Sequence, residues 1–417
     1  MIGIIENSYF SKVELAKSIN ENNYFCSKII QMIKIKLLAY PGAPEKLFEA
    51  GKNKIENFFP NTEFDFFSND STVLVFLSGG SENEAIQQFK PDKFYLLFAF
   101  EENNSWASAT EVKAWMDQRN YPGLMIDLHD NDDRMQAHLY FDIIDKLQNL
   151  RGKRLGQIGD VSEWLVASTI NSNLLKLKFG IELIKIAWSS VPDYKDCIAQ
   201  KDFEDKYTSG GTYDISSASK VNTALQSIID TRRLDAITVE CFSLVKENGV
   251  TACLSLSHLN DLDIPAGCEG DITSIVGIMF VQALTGKIPW MANTIKVNEN
   301  SVKFAHCTAP TNLLDEFEID THYETGLGTA IAGKFAKGQV TVFRLNNTLD
   351  KAFISEGNIV STTKSEHACR TQVEITLAKS ATKSLKNNPL GNHHLIIPGL
   401  HRKTLEVACG LKGIEVE

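Results

Sequence analysis

The chain has no excess of basic residues. Its 417 residues carry 42 Lys and Arg against 52 Asp and Glu, a formal net charge of -10. A surface built to hold nucleic acid is normally basic, so that class of partner is set aside. There is no apolar run long enough to cross a bilayer, and no membrane partner is expected. Residues 1–20 lack an apolar core followed by a small-residue cleavage site, so no signal peptide is expected. The eight Cys are scattered, without the paired spacing of a zinc ribbon or a disulfide framework. A reducing cytoplasm is the expected setting, with Cys241, Cys253 and Cys268 as buried, unreactive thiols. No repeat of fixed period is visible. Gly79-Gly80-Ser81 and Gly159-Asp160 match neither a dinucleotide fingerprint nor a phosphate loop, and read as tight turns between strand and helix.

What the chain does have is apolar material in quantity, 43% against 23% charged, enough for a large core. Residues 1–32 read as an N-terminal extension, with helical readings at 13–19 and 25–33. Strands over 35–40, 72–77, 93–100 and 123–128 then alternate with helices over 44–59, 82–89, 105–118 and 134–150. Such alternation implies a parallel sheet covered on both faces. The basic stretch Arg151-Gly152-Lys153-Arg154 marks a boundary. A second series follows, with strands over 155–158, 181–188 and 236–240. Its predicted helices lie over 163–171, 197–207, 217–229, 251–259 and 272–284. After Pro289 the segments become short and alternating, at 294–297, 302–307, 339–345, 353–359, 372–377 and 394–397, closing on a helix over 403–411. The fold class is therefore α/β, with two doubly wound parallel-sheet domains followed by a β-rich, antiparallel, barrel-like C-terminal domain. The expected limits are 1–150, 151–290 and 291–417.

Two acidic points stand where predicted strands end. Glu240 closes Ala236-Ile237-Thr238-Val239. Cys268-Glu269-Gly270-Asp271 follows Ile264-Pro265-Ala266-Gly267. Carboxylates at the C-terminal edge of a parallel sheet face the crevice where such sheets bind ligands. Two of them suit a divalent metal or acid/base chemistry. Glu240 can equally be a solvated loop residue. In an extended segment Glu269 and Asp271 share a face, although Asp271 alone reads as the N-cap of the next helix. His393-His394 opens an apolar run, where the two imidazoles point to opposite sides, so only one can join a given site. His306-Cys307 ends a strand. Its neighbours point apart, which fits a nucleophile pair poorly.

Taken together, these segments resemble the L-fucose isomerase and L-arabinose isomerase superfamily, in particular its shorter members. The resemblance rests on Val239-Glu240, on Cys268-Glu269-Gly270-Asp271 with the helix after it, and on Phe304-Ala305-His306-Cys307-Thr308. It continues through Gly338-Gln339-Val340-Thr341-Val342-Phe343-Arg344-Leu345 and Asn392-His393-His394. It implies a divalent ion, usually manganese, held by Glu240, the Glu269/Asp271 pair and His394. Glu240 and Asp271 would be the catalytic carboxylates, and His306 and His393 would contact the substrate. The implied reaction is aldose–ketose isomerisation through an ene-diol, by a cytoplasmic homo-oligomer, a trimer or hexamer, acting on a small sugar. The chain is shorter than typical relatives and has no His between Asp271 and His306. That leaves a pentose, a deoxyhexose and a modified sugar such as a sulfonated one all open. The alternatives are a non-catalytic sugar-binding or regulatory protein, or another ene-diolate enzyme such as an epimerase or aldolase.

Overall fold

In the computed structural model, which describes residues 32–68, 70–90, 93–208, 213–362 and 365–417, the alternating pattern becomes a parallel sheet. The helical readings at 13–19 and 25–33 lie outside the described residues, apart from Met32 and Ile33. In chain order this first unit is β1 (Ile33–Leu38), α1 (Glu45–Phe58), β2 (Phe64–Asp65), β3 (Val73–Phe76), α2 (Glu82–Ile86), β4 (Tyr95–Ala99), α3 (Ser105–Asp117), β5 (Gly123–Asp127) and α4 (Asn131–Gln148). The strand order is β2-β1-β3-β4-β5, with every pairing parallel. Every residue of β3 and β4 is buried, as expected of strands covered on both faces.

The second unit is β6 (Arg154–Ile158), α5 (Ser172–Phe179), β7 (Glu182–Ile186), α6 (Lys201–Tyr207), α7 (Ile215–Arg232), β8 (Ala236–Val239), α8 (Phe242–Asn248), α9 (Cys253–Asp261), β9 (Ala266–Cys268) and α10 (Ile272–Thr285). Its sheet is parallel in the order β7-β6-β8-β9. The helix predicted over 163–171 is absent. Those residues form turns, and the helix starts at Ser172, because the Asn171 side chain caps it by accepting from the N–H groups of Asn173 and Leu174. The displaced segment is instead tied to the β9–α10 corner, through Ser162 N to Glu269 O at 3.0 Å and Ile272 N to Ser168 O at 3.1 Å. Gly159-Asp160 therefore precedes no helix.

The remaining elements are β10 (Trp290–Val297), β11 (Ser301–His306), β12 (Glu316–Asp320), β13 (Ala330–Lys334), β14 (Gln339–Leu345), β15 (Lys351–Ser361), β16 (Thr371–Leu377), α11 (Lys379–Asn387), β17 (His393–Pro398), α12 (Arg402–Leu411) and β18 (Glu415–Val416). The antiparallel ladders run β14-β17-β10-β11-β16-β15, and β15 pairs back onto β14. The sheet thus closes into a six-stranded antiparallel barrel. The hairpin β12–β13 is a separate two-stranded sheet. It, α8 and α11 were not anticipated, being short and interrupted by polar residues.

Helix α10 joins the layers. Its residues from Ile272 to Val281 are all buried. One side packs on β8 and β9, the other on β14 and β17. A Cβ at Gly277 would come within 2.8 Å of Leu395 Cδ1, so glycine there lets the helix approach β17. At roughly 1.5–3 kcal/mol for each large apolar side chain buried, this helix is a main contributor to holding the barrel against the second sheet. The final helix α12 returns to pack on α4, which ties the chain end to the first unit.

Candidate active site

The ladder β8–β9 pairs Val239 with Cys268, so Glu240 and Glu269 are the next residues along two neighbouring strands. The segment 269–271 is not extended, contrary to the sequence reading. Glu269 and Gly270 both take left-handed backbone, with φ of 61° and 67°. For a residue with a Cβ this costs about 1–2 kcal/mol. A side chain at Gly270 would also bring its Cβ to 2.4 Å from Asp160 O. Gly270 is therefore required twice, by its φ and by the loop against it. Gly270→Ala is expected to lose at least about 1 kcal/mol from the φ alone. A thermal melt should show a lower midpoint, and any activity should fall because Glu269 is displaced.

The turn aims Glu269 at two imidazoles. Glu269 Oε1 lies 3.7 Å from His393 Nε2 and 3.9 Å from His306 Nε2. Its other oxygen accepts from Trp164 Nε1 at 2.7 Å. His393 Nδ1 is 2.9 Å from Asp271 Oδ2. Asp271 is fully buried and caps α10, with Oδ1 accepting from Ser274 N at 2.7 Å and Oδ2 from Ser274 Oγ at 2.8 Å. The buried Arg344 donates to the carbonyl of His393 and adds positive charge near Asp271. The rings of His306 and His393 have centroids 5.4 Å apart.

Charge in this group is unevenly shared. Burial opposes ionisation of Glu269, but His393, then His306 and the Trp164 N–H, outweigh it and hold the carboxyl at about 2. Burial likewise opposes ionisation of Asp271, yet His393, Arg344 and Ser274 keep it at about 2. His393 is lifted to about 9, because Glu269 and Asp271 overcome its burial. Burial and the neighbouring His393 push His306 down to about 3. His306 is therefore neutral, and its Nδ1 accepts from Thr308 N at 3.0 Å, which leaves the proton on Nε2.

The residues singled out from sequence fall in different places. Glu269, Asp271, His306 and His393 converge. The ligand atoms of Glu269, His306 and His393 lie within 4.8 Å of one another. Glu240 is outside that group. Its Oε1 accepts from the N–H groups of Phe242 and Ser243 at 3.1 and 3.2 Å, at the start of α8. It lines a cavity of about 690 Å³, whereas Glu269 lines another of about 460 Å³, and the two share Trp164 and Phe242. His394 faces the barrel interior, against Phe304 and Phe353, with Nδ1 on Thr294 Oγ1 at 2.9 Å. Trp164 and Arg344 were not anticipated as site residues. The only signal for Arg344 was a cation inside an apolar strand.

Glu269 and His393 offer a carboxylate oxygen and an imidazole nitrogen to a divalent first-row ion. Among the described residues the buried Nε2 atoms of His306 and His393 have no hydrogen-bond partner. A carboxylate on Nδ1 is the usual support for a histidine that ligates through Nε2. His393, held by Asp271, meets that requirement. His306, with Nδ1 engaged by Thr308, presents an N–H instead.

No family model matches the chain. It is similar to the sulfoquinovose isomerases of Priestia aryabhattai and Priestia megaterium, 24% identical over 260 residues, covering 57% of this chain and 57% of each of those proteins. It is also similar to the sulfoquinovose isomerase of Alkalicoccus urumqiensis, 28% identical over 138 residues, covering 31% of either chain. The aligned part thus spans little more than half the length of these curated relatives.

Proposed function

We propose that the chain is a sugar isomerase that interconverts an aldose and its ketose with the help of a divalent ion, with manganese as the first candidate. The observation that carries the proposal is the convergence of Glu269 with the buried His393 Nε2 and the buried His306 Nε2–H, neither of which has a hydrogen-bond partner among the described residues. The similarity to sulfoquinovose isomerases supports the reaction class. It also makes sulfoquinovose, or another sulfonated aldose, the first sugar to test.

Glu269 Oε1 and His393 Nε2 would hold the ion, and Asp271 fixes His393 with its proton on Nδ1. When bound, the ion would supply a positive charge that polarises a carbonyl and acidifies the adjacent C–H. Asp271 has both oxygens occupied and no exposed surface, so it works through His393 rather than on the sugar. The carboxylate left for proton transfer is Glu240. Among the described residues its Oε2 has only a long contact to Ser243 N, at 3.4 Å, and it remains able to take the C2 proton and return it at C1. His306 Nε2–H would donate a hydrogen bond to O1 as it gains negative charge, and the hydroxyl proton of O2 passes to O1 so that the carbonyl re-forms at C2. The aromatic faces of Trp164 and Phe242, shared by both cavities, provide an apolar wall for the ring carbons. His394, inside the barrel, has no part in this arrangement. A cytoplasmic homo-oligomer completes the reading.

The test is conversion of a panel of aldoses, including sulfoquinovose, by metal-stripped protein before and after adding Mn²⁺. Ketose formed only with the ion is the expected result. Stoichiometric sugar binding with no product under either condition would instead favour a sugar-binding protein. Product inverted at a carbinol carbon, or cleaved, would favour an epimerase or an aldolase.

A further inference from the structure

The cysteines of the barrel carry a second arrangement that the proposed reaction does not use. Cys307 follows His306 at the end of β11. The ligand atoms of Cys307, Glu324 and Cys369 all lie within 4.8 Å of one another. They come from three separate segments: the end of β11, the β12–β13 connection and the approach to β16. Cys369 Sγ is 3.4 Å from Glu324 Oε1, to which it donates. Glu324 Oε2 stands 3.2 Å from His322 Nε2, and His322 Nδ1 meets Thr325 Oγ1 at 3.1 Å.

Buried cysteines usually act as small apolar residues. Here both belong to a small core with Cys253, Ala305, Ala330 and Ala368. That account suffices for Cys253. It does not explain why a carboxylate, itself paired with an imidazole, is brought to a pair of sulfurs. The contrast is Cys241 and Cys268, whose sulfurs are 3.3 Å apart and which join no ligand-type cluster among the described residues. Two thiolates beside a carboxylate form a trianionic pocket, which becomes stable only with a cation in it.

We propose that Cys307, Cys369 and Glu324, with His322 as the adjacent fourth donor, form a second cation site for a thiophilic divalent ion of the zinc class. Binding releases the two thiol protons to solvent and forms two sulfur–metal bonds. The site is open to solvent through Glu324, whose side chain is 42% exposed. Glu324 and Cys369 also line the cavity that Glu269 lines. His322 packs edge-on against Phe242 at 5.3 Å, and Phe242 against Trp164 at 4.6 Å. An ion here fixes one wall of the candidate active site without touching its chemistry, and the site does not depend on the reaction proposed above.

Cobalt reports it directly. Reduced, metal-stripped protein titrated with Co²⁺ should develop a thiolate-to-cobalt charge-transfer band in the near ultraviolet, and Zn²⁺ should abolish it. The Glu269 group has no sulfur and is silent in that band. Cys369→Ser, which removes one of the two thiolates, should clearly diminish the band. Glu324→Gln, at an exposed position that leaves folding intact, should weaken cobalt binding by roughly 10- to 100-fold. Cys241→Ala should keep the band. Absence of the band in the reduced wild type, an undiminished band in Cys369→Ser, unchanged affinity in Glu324→Gln, or its loss in Cys241→Ala would each overturn the proposal.

Discussion

Replacing Glu269 by Gln is expected to lower aldose–ketose conversion by about 1,000-fold or more. At about 1.4 kcal/mol per decade that is the several kcal/mol assigned to a polarising ion. Gln keeps the shape and the bond from Trp164 Nε1, but removes the charge facing His393 Nε2 and His306 Nε2. Without it, the position for the ion is flanked by two imidazoles and no fixed anion. Calorimetric titration with Mn²⁺ should show the affinity falling together with kcat. A variant that keeps more than about a tenth of the wild-type rate would remove Glu269 from the mechanism. Because ion binding is read separately from turnover, an inactive variant that still binds Mn²⁺ tightly would place Glu269 on the proton path instead.

Asp271→Asn carries the second large effect. Asn is as good an N-cap as Asp, so the start of α10 is preserved. What is lost is the charge partner of His393, inside a region with no exposed surface. Removing one member of a buried pair typically costs about 3–5 kcal/mol. The midpoint of denaturant unfolding should move accordingly, and Mn²⁺ affinity should drop by roughly 10- to 100-fold as His393 loses its support. The pH dependence of the metal-free protein has a fixed sign. Asp271 sits at about 2 in the fold, below its ordinary value of 3.8. Its contribution is therefore present above the unfolded value and is lost as pH falls toward about 2. Counted once for the pair, the loss is about 2 kcal/mol. His393 moves the opposite way: held at about 9, it stabilises fully below its ordinary 6.5, and that contribution disappears as pH rises through about 9. Asp271→Asn should flatten the acid limb. An unchanged acid limb would show that Asp271 is not the group responsible.

Much of this architecture is written locally. Apart from the two-residue β2, which was not anticipated, the strands of both parallel sheets are short apolar runs between turn signals, and they stand within a few residues of where periodicity puts them. The closed barrel follows from alternating segments after Pro289. The helix expected over 163–171 fails for a tertiary reason: Ser162 and Ser168 bond to the β9–α10 corner, and Asn171 caps a later start. The acidic corner was legible as two carboxylates two residues apart. Its backbone was not: Glu269 and Gly270 are both left-handed, and the loop that packs on Gly270 comes from Asp160, far away in the chain. His393-His394 illustrates the limit of a period-two argument. It says that one imidazole serves a given side. It does not say which, since both sides of β17 are buried, one against α10 and the other against Phe304 and Phe353. Trp164 has no motif around it, and Arg344, though inside one of the segments that carry the resemblance, was given no role there; both roles arise from distant chain segments meeting.

The division of the site between layers has a consequence for recombination. The carboxylates come from strand ends before Gly286, while both imidazoles ride on barrel strands after Pro289. A chimera that crosses over in this short joint inherits its acids from one parent and its bases from the other. Such hybrids retain intact local sequences throughout, yet every one of them must reassemble the reactive group from two lineages. Their fitness therefore measures how closely α10 seats the same barrel in each parent.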